Sequence, residues 1–442
     1  VYLTKKKYLG ELSLILSWIS FEIIFEKWDL AWPLLTLGNG LGDNVLIIQW
    51  YEFIGVHGGS LWIILINLLL YKVFLHIQRK LKLSFIHILS LIVVLIVPLI
   101  CSLFRYYNYR STTSSAEIVV VHPNLNCYSE KYNGSLSVSE QVSHHIKLTK
   151  ESITQETNYI IWPETAIPNL DWIELLDSNQ NIQNIKTFLK DFPNAKLVTG
   201  AVIFELFKEG LKTPANNEKF DLHFHTEFKV WYYTYNAALF VDTSDNIQIH
   251  AKQNLVPFEE RVPYPKLLSI FKNSVGSLGN FGFSRRSQNQ YIFDTDSNKI
   301  VPLICYESLF SDEASKYTRQ GGNALFVILN EGWYNSSFGA LQFFSISRIR
   351  AIENRRFIVR SSNYGISSII DYKGDIIKKD VLKLPNSFKS NIQFNKNISF
   401  YAKYSGNINL VILIAFFLLV FFTFISYLLT KFMSNENKSN PD

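Results

Sequence analysis

The chain has 442 residues, of which 48% are hydrophobic and 18% are charged, and its formal net charge at pH 7 is +6. This length allows more than one domain, and the apolar residues are concentrated at the two ends. The modest charge, with no basic runs interleaved with aromatic residues, argues against nucleic-acid binding. Three cysteines, Cys101, Cys127 and Cys305, are too few for a disulfide framework.

Apolar segments at both ends predict membrane-spanning helices, because a span needs roughly 20 apolar residues. The predicted spans lie near 8–25, 60–76 and 84–103 in a membrane domain of residues 1–104, and near 408–430 in a C-terminal segment of residues 406–442. Glu11 and Glu22 make the first span the weakest. Residues 26–59 are rich in aromatics and glycine, which predicts an interfacial arm, although an ordinary connecting loop fits the composition equally well.

Positive charges predict the orientation of these spans. Basic residues precede the first span, fill the loop between the second and third, and follow the last: Lys5–Lys7, Arg79, Lys80, Lys82 and Lys431. The positive-inside rule places these positions in the cytoplasm, together with the C-terminal tail. The predicted location is therefore multi-pass in a bacterial inner membrane, with residues 105–405 on the periplasmic side. Since the chain starts at Val1 and its single methionine is Met433, we also expect the native N-terminus to be missing.

The middle of the chain alternates β-branched runs with helix-like segments, which predicts a layered α/β domain. The predicted strands are Ala116–Val121, Tyr159–Trp162, Lys196–Val202, Tyr235–Asp242, Ile300–Cys305, Ala324–Leu329, Phe357–Ser362 and Ser367–Asp371. The predicted helices are residues 136–156, 179–190, 311–320 and 339–355. Residues 205–230 resemble a polar insertion without a clear period.

Three of the strand-like runs are followed by a residue that could take part in catalysis. Glu164 follows Trp162-Pro163, Lys252 follows Ala251, and Cys305 ends the run from Val301. A carboxylate, an amine and a thiol at neighbouring strand ends can serve as base, cation and nucleophile. Structural alternatives are a turn glutamate, an exposed lysine and a core cysteine. A disulfide between Cys127 and Cys305 is less favoured than a free Cys305.

The order Glu, Lys, Cys and the sequences around these residues resemble the nitrilase, or carbon–nitrogen hydrolase, superfamily. Further matching motifs are Glu260-Arg261-Val262-Pro263, Asn330-Glu331-Gly332-Trp333-Tyr334, Arg350–Arg356 and Ser362–Ser367. With spans on both sides, the chain is similar to the apolipoprotein N-acyltransferase family within that superfamily. The resemblance implies a nitrilase-like α-β-β-α sandwich flanked by transmembrane helices.

The same resemblance implies a role for each matched residue. Cys305 is the expected nucleophile, Glu164 the general base, and Lys252 the cation that stabilises the thiolate and the oxyanion. Supporting roles fall to Glu260, Tyr306 and Glu307, and substrate-binding roles to Asn330 and Trp333. Glu260 could instead pair with Arg261, and Trp333 could be plain packing. Arg350 and Glu353 are expected to form a structural ion pair.

The implied reaction transfers an acyl chain from a phospholipid to the α-amino group of the diacylglyceryl-cysteine of an apolipoprotein, through a thioester on the enzyme. The expected partners are these two substrates and the lipid bilayer, and the protein is expected to be a monomer. No cofactor or metal is expected, because His144 and His145 lack ligand spacing and fit a solvated helix. The alternatives are a membrane-anchored amidase or nitrilase, a non-catalytic lipoprotein-binding paralogue, and a transporter or scaffold.

Overall fold

The computed structural model describes residues 7–82, 84–111, 114–132, 134–207, 222–264, 292–295, 297–333, 337–380 and 384–439. The helices are α1 Lys7–Phe25, α2 Tyr51–Gln78, α3 Phe85–Asn108, α4 Val138–Lys150, α5 Gln180–Lys190, α6 Ser311–Arg319, α7 Ser337–Asn354 and α8 Phe400–Ser439. The strands are β1 Ser115–His122, β2 Thr157–Ile161, β3 Lys196–Leu206, β4 Leu222–His225, β5 Val230–Val241, β6 Gln248–Ala251, β7 Phe293–Asp294, β8 Lys299–Ile304, β9 Ala324–Leu329, β10 Ile358–Ser362, β11 Ser368–Ile370, β12 Ile376–Lys379 and β13 Asn386–Gln393.

The strands form two packed sheets. The first has the order β13-β1-β2-β3-β5-β4, with β6 also paired to β5, and the second has the order β12-β11-β10-β9-β8-β7. Within β1, Ile118 and Val120 pack between the sheets, whereas Val119 and Val121 pack with residues of α4 and α5. This alternation is the period of two that a strand imposes on its side chains.

Helices α6 and α7 contribute buried side chains to the core around the second sheet. The layers are therefore helix, sheet, sheet and helix, which confirms the predicted α-β-β-α sandwich. Each predicted strand and helix is present; Ala324–Leu329 has the predicted ends, and the others have shifted ends. Among the residues that the structure describes, five strands were missed: β4, β6, β7, β12 and β13. In the segment interpreted as an insertion, β3 extends to Leu206 and β4 pairs with β5, while residues 208–221 lie outside the described part.

One helix face was predicted wrongly. His145 is buried, with its ring 5.0 Å from that of Trp162 and its Nδ1 2.6 Å from the Gln141 carbonyl oxygen. The polar character of the sequence around α4 suggested a solvated ring. The helix instead turns this ring inward, where a backbone carbonyl gives it a hydrogen-bond partner.

In the described part of the chain, three helices are long and apolar enough to cross a membrane: Tyr51–Gln78, Phe85–Asn108 and Phe400–Leu429. Helix α1 covers the first predicted span and is not among these three. Helix α2 begins at Tyr51, inside the predicted arm, and bends at Gly55, whose φ is +65°. A Cβ at Gly55 would lie 2.2 Å from the ring of Tyr401, so this position excludes a side chain both sterically and by its backbone conformation.

Residues 26–59 lie against the sandwich. Ile48, Val45 and Trp50 form a buried cluster with Ile349 and Ile352 of α7. Along the same segment, the Asp29 carboxylate accepts a hydrogen bond of 2.9 Å from Arg261, and the Ala31 carbonyl accepts one from the Tyr306 hydroxyl. This packing joins the membrane helices to the sandwich.

We expect Ile48→Ala to weaken that junction. Ile48 is fully buried, and truncating such a side chain costs about 2–5 kcal/mol because a cavity remains. The unfolding temperature in detergent, followed by tryptophan fluorescence, should fall by several degrees. Leu46→Ala is the control, since Leu46 is 42% exposed and should change little. Equal shifts in both variants would show that the arm is not packed as described.

Candidate active site

The three residues predicted to take part in catalysis come together in the fold. Glu164 follows β2, Lys252 follows β6 and Cys305 follows β8. Lys252 Nζ lies 3.0 Å from Glu164 Oε1, and both side chains act electrostatically on the Cys305 thiol. All three residues are buried, with 5%, 1% and 7% of their surfaces exposed. The site thus places a carboxylate, an ammonium and a thiol together away from bulk water.

A tight backbone crossing positions Glu164. The next residue, Thr165, has a φ of +47°, so the chain turns sharply after Glu164. Gly200 of β3 lies directly alongside, and a Cβ there would be 2.4 Å from Thr165 N and 2.6 Å from Glu164 Cα. Lys131 closes the turn, because its buried Nζ donates a 2.9 Å hydrogen bond to the Glu164 carbonyl oxygen. A glycine is therefore needed at position 200 to let the base approach.

Lys252 lies between two carboxylates. Its Nζ donates to Glu164 Oε1 at 3.0 Å and to Glu260 Oε1 at 2.8 Å. Asn236 Nδ2 donates to the same two oxygens at 2.8 and 2.9 Å, which holds the carboxylates around the ammonium. Glu260 Oε2 also accepts from the Val256 backbone amide at 2.9 Å. Glu260 does not pair with Arg261, which binds Asp29 instead, so that alternative is wrong.

Cys305 lies on a strained elbow. Its φ is +49°, and a 3-10 turn, Cys305–Leu309, begins directly after β8. The left-handed conformation is unfavourable for a residue with a side chain and persists where the surroundings enforce it. Ser308 Oγ donates a 2.7 Å hydrogen bond to the Cys305 carbonyl oxygen, and the Asn330 backbone amide hydrogen-bonds the sulfur. The elbow aims the thiol toward the other two strand ends.

Glu307 joins the elbow to residues 252–254, the start of the loop after β6, which we call the lysine loop. Its Oε2 accepts from the Ile304 backbone amide at 2.8 Å, and its Oε1 accepts from the amides of Gln253 and Asn254 at 2.5 and 3.3 Å. The His250 ring nitrogen Nε2 lies 3.6 Å from Oε2. This one carboxylate therefore bridges the segments that carry Lys252 and Cys305.

The charges around the thiol set its protonation state. Burial raises the pKa of Cys305, and the carboxylates of Glu164 and Glu260 raise it further, whereas Lys252 lowers it in part. Burial lowers the pKa of Lys252, but the two carboxylates more than offset this and hold it well above its ordinary value. At neutral pH the lysine is therefore a cation and the thiol is neutral. The expected lowering by Lys252 is present, but it does not produce a resting thiolate.

The remaining predicted residues lie at different distances from this cluster. The Tyr306 ring packs on Trp32 at 5.9 Å and faces the arm. Asn330 is buried, and its Oδ1 accepts from the Cys127 thiol at 3.1 Å and from Asn363 Nδ2 at 3.1 Å. The side chain of Trp333 lies outside the described part of the chain. Cys127 and Cys305 are both free thiols, so no disulfide joins them.

Sequence reasoning missed two buried residues beside the base. Asn236 follows a run of strand-like aromatics and carries no motif that singles it out. Lys131 lies in a polar stretch that reads as surface, yet burial lowers its pKa to about 8. The local sequence around Lys131 does not predict that its side chain is buried, because the burial results from tertiary contact with Glu164.

A cleft of about 200 Å³ separates the arm from the catalytic domain beside Tyr306. Its catalytic-domain wall includes Gln253, Asn254 and Phe310, which flank the lysine loop and the elbow. Its other wall includes Trp28 and Ala31 of the arm. The cleft thus lies next to the elements that hold the thiol and the ammonium.

Comparisons with known proteins agree with this fold. The chain belongs to the carbon–nitrogen hydrolase family, whose model matches residues 129–380, more than half of the chain. Residues 2–69 match the apolipoprotein N-acyltransferase N-terminal domain. The two matches together confirm the resemblance found in the sequence.

Several curated relatives carry the name apolipoprotein N-acyltransferase. The chain is 27% identical to an apolipoprotein N-acyltransferase of Chlorobaculum tepidum, covering 88% of this chain and 72% of that protein. It is 28% identical to the Wigglesworthia glossinidia brevipalpis enzyme of that name, over 94% of this chain and 74% of the relative. A Rickettsia typhi relative with that name is also 28% identical, over 95% and 77%.

We expect Glu307→Gln to destabilise the protein in a pH-dependent way. Burial raises the pKa of Glu307, but His250 and the backbone amides outweigh it, so the folded pKa lies below the ordinary value. Its contribution to the free energy of unfolding is then complete above the unfolded pKa of about 4.3 and disappears as the pH falls through the folded value. The variant should unfold at a lower temperature than the wild type at pH 7. This difference in unfolding temperature should become smaller below pH ~4.

The matched control for that measurement is Glu174→Gln, which alters an exposed glutamate. It should leave the unfolding temperature nearly unchanged at both pH values. A gap between wild type and Glu307→Gln that stays constant from pH 7 to pH 4 would contradict the anchoring role of the carboxylate.

We expect Lys252→Met to slow alkylation of Cys305 by about tenfold or more at neutral pH, because the thiolate loses its neighbouring cation. The rate of iodoacetamide labelling is best measured in a background with Cys101 and Cys127 changed to serine, so that a single thiol reports. Lys190→Met, on the exposed face of α5, is the control. Unchanged labelling in Lys252→Met would show that the ammonium does not act on the thiol.

Proposed function

We propose that this protein transfers an acyl chain from a membrane phospholipid to the α-amino group of the N-terminal diacylglyceryl-cysteine of an apolipoprotein. The observation that carries the proposal is the buried thiol, carboxylate and ammonium in a domain joined to helices long enough to cross a membrane. The relatives' shared name, apolipoprotein N-acyltransferase, supports the same reaction. Cys305 is the proposed nucleophile, Glu164 the general base and Lys252 the oxyanion-stabilising cation.

In the first half-reaction, Cys305 Sγ attacks the ester carbonyl carbon of the phospholipid. Because the thiol is neutral, its proton passes to Glu164 as the carbon–sulfur bond forms. The oxyanion that develops faces the Lys252 ammonium, whose charge is fixed in place before the reaction. The ester carbon–oxygen bond then breaks, Glu164 returns the proton to the leaving alkoxide, and a lysophospholipid departs from a thioacyl-enzyme.

In the second half-reaction, the α-amino group of the diacylglyceryl-cysteine attacks the thioester carbon. Glu164 takes a proton from the nitrogen, and Lys252 again stabilises the oxyanion. The carbon–sulfur bond breaks and the Cys305 thiolate recovers its proton from Glu164, so the enzyme is regenerated and the product carries an amide. The energy of the thioester drives this step, so the proposal requires no cofactor, metal or nucleotide.

Several neighbouring residues support these steps in the proposal. Glu260 and Asn236 fix the positions of Glu164 and Lys252, and Glu307 holds the elbow against the lysine loop. Tyr306 would guide substrate at the cleft beside the arm, while Asn330 and Trp333 would contact substrate near the sulfur. The enzyme would act as a monomer in the bacterial inner membrane, with residues 105–405 on the periplasmic side.

A membrane-anchored amidase or nitrilase would use the same three residues on a small amide. The match of residues 2–69 to an apolipoprotein N-acyltransferase N-terminal domain favours the acyltransferase over this alternative. A hydrolase of small soluble amides would have no need for that segment.

The decisive experiment follows the acyl-enzyme. After incubation with phospholipid, intact mass spectrometry should show one added acyl chain that neutral hydroxylamine removes, since hydroxylamine cleaves thioesters readily. Cys305→Ala should lose this adduct and the transferase activity completely. Cys127→Ala keeps all three catalytic groups, including the Cys305 thiol. It should therefore still form the adduct, and it is the matched control.

An adduct of unchanged size in Cys305→Ala would rule out the proposed nucleophile. Release of ammonia from a small amide, without any phospholipid-derived adduct in the unmodified protein, would instead favour the amidase.

A further inference from the structure

A second cavity, of about 190 Å³, lies where the apolar helices meet the sandwich. Glu52 and Phe53 from the start of α2, Arg105 from the last turn of α3 and Phe400 from the start of α8 line it. Since these three helices are long and apolar enough to cross a membrane, their shared end marks the level of the membrane surface on the side of the catalytic domain.

This cavity carries an excess of positive charge. Three arginines, Arg105, Arg110 and Arg355, line it against one carboxylate, Glu52. Both carboxylate oxygens of Glu52 face an arginine, because Oε2 accepts a hydrogen bond from Arg355 Nε and Oε1 forms an ion pair with Arg105 Nε. Arg355 also donates to Gln49 and to the Tyr372 carbonyl oxygen. Three guanidinium groups minus one carboxylate leave two positive charges that Glu52 does not neutralise.

Two of the arginines keep donors free for a ligand. Among the described residues, no hydrogen bond is made by the Nη groups of Arg105 or by the side chain of Arg110, which is exposed. The Arg105 guanidinium is held over the rings of Phe53 and Tyr109, at 5.7 and 5.2 Å. Such stacking fixes the direction of the planar group while leaving its outer edge open.

Beside the polar residues Asn397 and Ser399, the wall of the cavity has an apolar part. Phe400 is 50% exposed and Ile398 is 43% exposed, and both border the arginines. Arginines beside exposed apolar side chains at the membrane surface fit an anionic phospholipid. Its phosphate headgroup would contact the arginines, and its first acyl carbons would contact the apolar side chains.

The cavity is separate from the active site. Strands β8, β9 and β10 are parallel, and Cys305 follows the carboxyl end of β8. Arg355 precedes the amino end of β10, so the cavity lies at the opposite edge of the same sheet. A lipid bound there would therefore not present its ester to the thiol.

We propose that Arg105 and Arg110 form a binding site for the phosphate headgroup of an anionic phospholipid, which anchors the junction of the spans and the sandwich. The site retains its lipid through the reaction cycle and is distinct from the acyl-donor site. The headgroup phosphate accepts hydrogen bonds from the free Nη groups, and the lipid glycerol faces the apolar wall.

The test titrates phosphatidylglycerol, phosphatidylcholine and inorganic phosphate into the delipidated full chain and counts bound masses by native mass spectrometry. Phosphatidylglycerol should bind and the zwitterionic lipid should bind more weakly. At about 1 kcal/mol for each basic residue, Arg110→Gln should weaken binding about fivefold, and the double variant with Arg105→Gln about 30-fold. Arg110 is exposed and makes no ion pair with Glu52, so its variant is expected to fold normally.

Lys403→Gln is the matched control, because it removes one positive charge from the exposed first turns of α8, outside the cavity. It should change binding less than twofold. Equal weakening by Lys403→Gln and Arg110→Gln would overturn the proposal in favour of general surface charge. Equal binding of both lipids, or displacement of phosphatidylglycerol by millimolar inorganic phosphate, would also overturn it, the latter because the site would then recognise free anions.

Discussion

The buried Lys252 ammonium is the interaction on which the rest of the site depends. Removing a charge from water costs several kcal/mol, which a fold tolerates when partners compensate for it. Here Glu164 and Glu260 supply two negative charges and Asn236 orders them. Those residues come from separate strands and loops of the first sheet, so the charge balance requires the sheet to be fully formed. The same balance keeps the lysine protonated and leaves the thiol neutral until a substrate arrives.

The second sheet and the membrane segment are tied to this cluster by further buried charges. Arg350 donates to the Ser308 and Leu309 carbonyl oxygens of the elbow turn and pairs with Glu353. Glu353 in turn accepts a 2.7 Å hydrogen bond from the Val56 amide, at the bend of α2. One connected network therefore runs from the bend in a membrane helix to the turn that carries Cys305. The expected Arg350–Glu353 ion pair is present, and its position explains why a buried charge pair is kept there.

The two clefts at the junction differ in their chemistry and their position. The cleft beside Tyr306 adjoins the elbow and the lysine loop, whereas the arginine-lined cavity lies at the other edge of the parallel strands. The reaction proposed above would take both substrates from a bilayer, which favours a rigid junction between the sandwich and the apolar helices. Packing of residues 26–59 and the buried pairs around Glu52 hold the sandwich against the apolar helices.

The sequence alone predicted the layered α/β domain, the apolar helices and the three catalytic candidates, because strand periodicity, span length and short motifs are local properties of the chain. The resemblance that these motifs carry implied the sandwich. The sequence did not predict that α2 begins at Tyr51, where the helix meets Glu353 and Tyr401. It also did not predict that His145 is buried against Trp162, since both features depend on tertiary packing. Asn236 and Lys131 became visible only in the tertiary structure, which brings β5 and the segment before α4 against Glu164. The protonation state of Cys305 was likewise decided there, because it results from burial and from the summed charges of three distant segments.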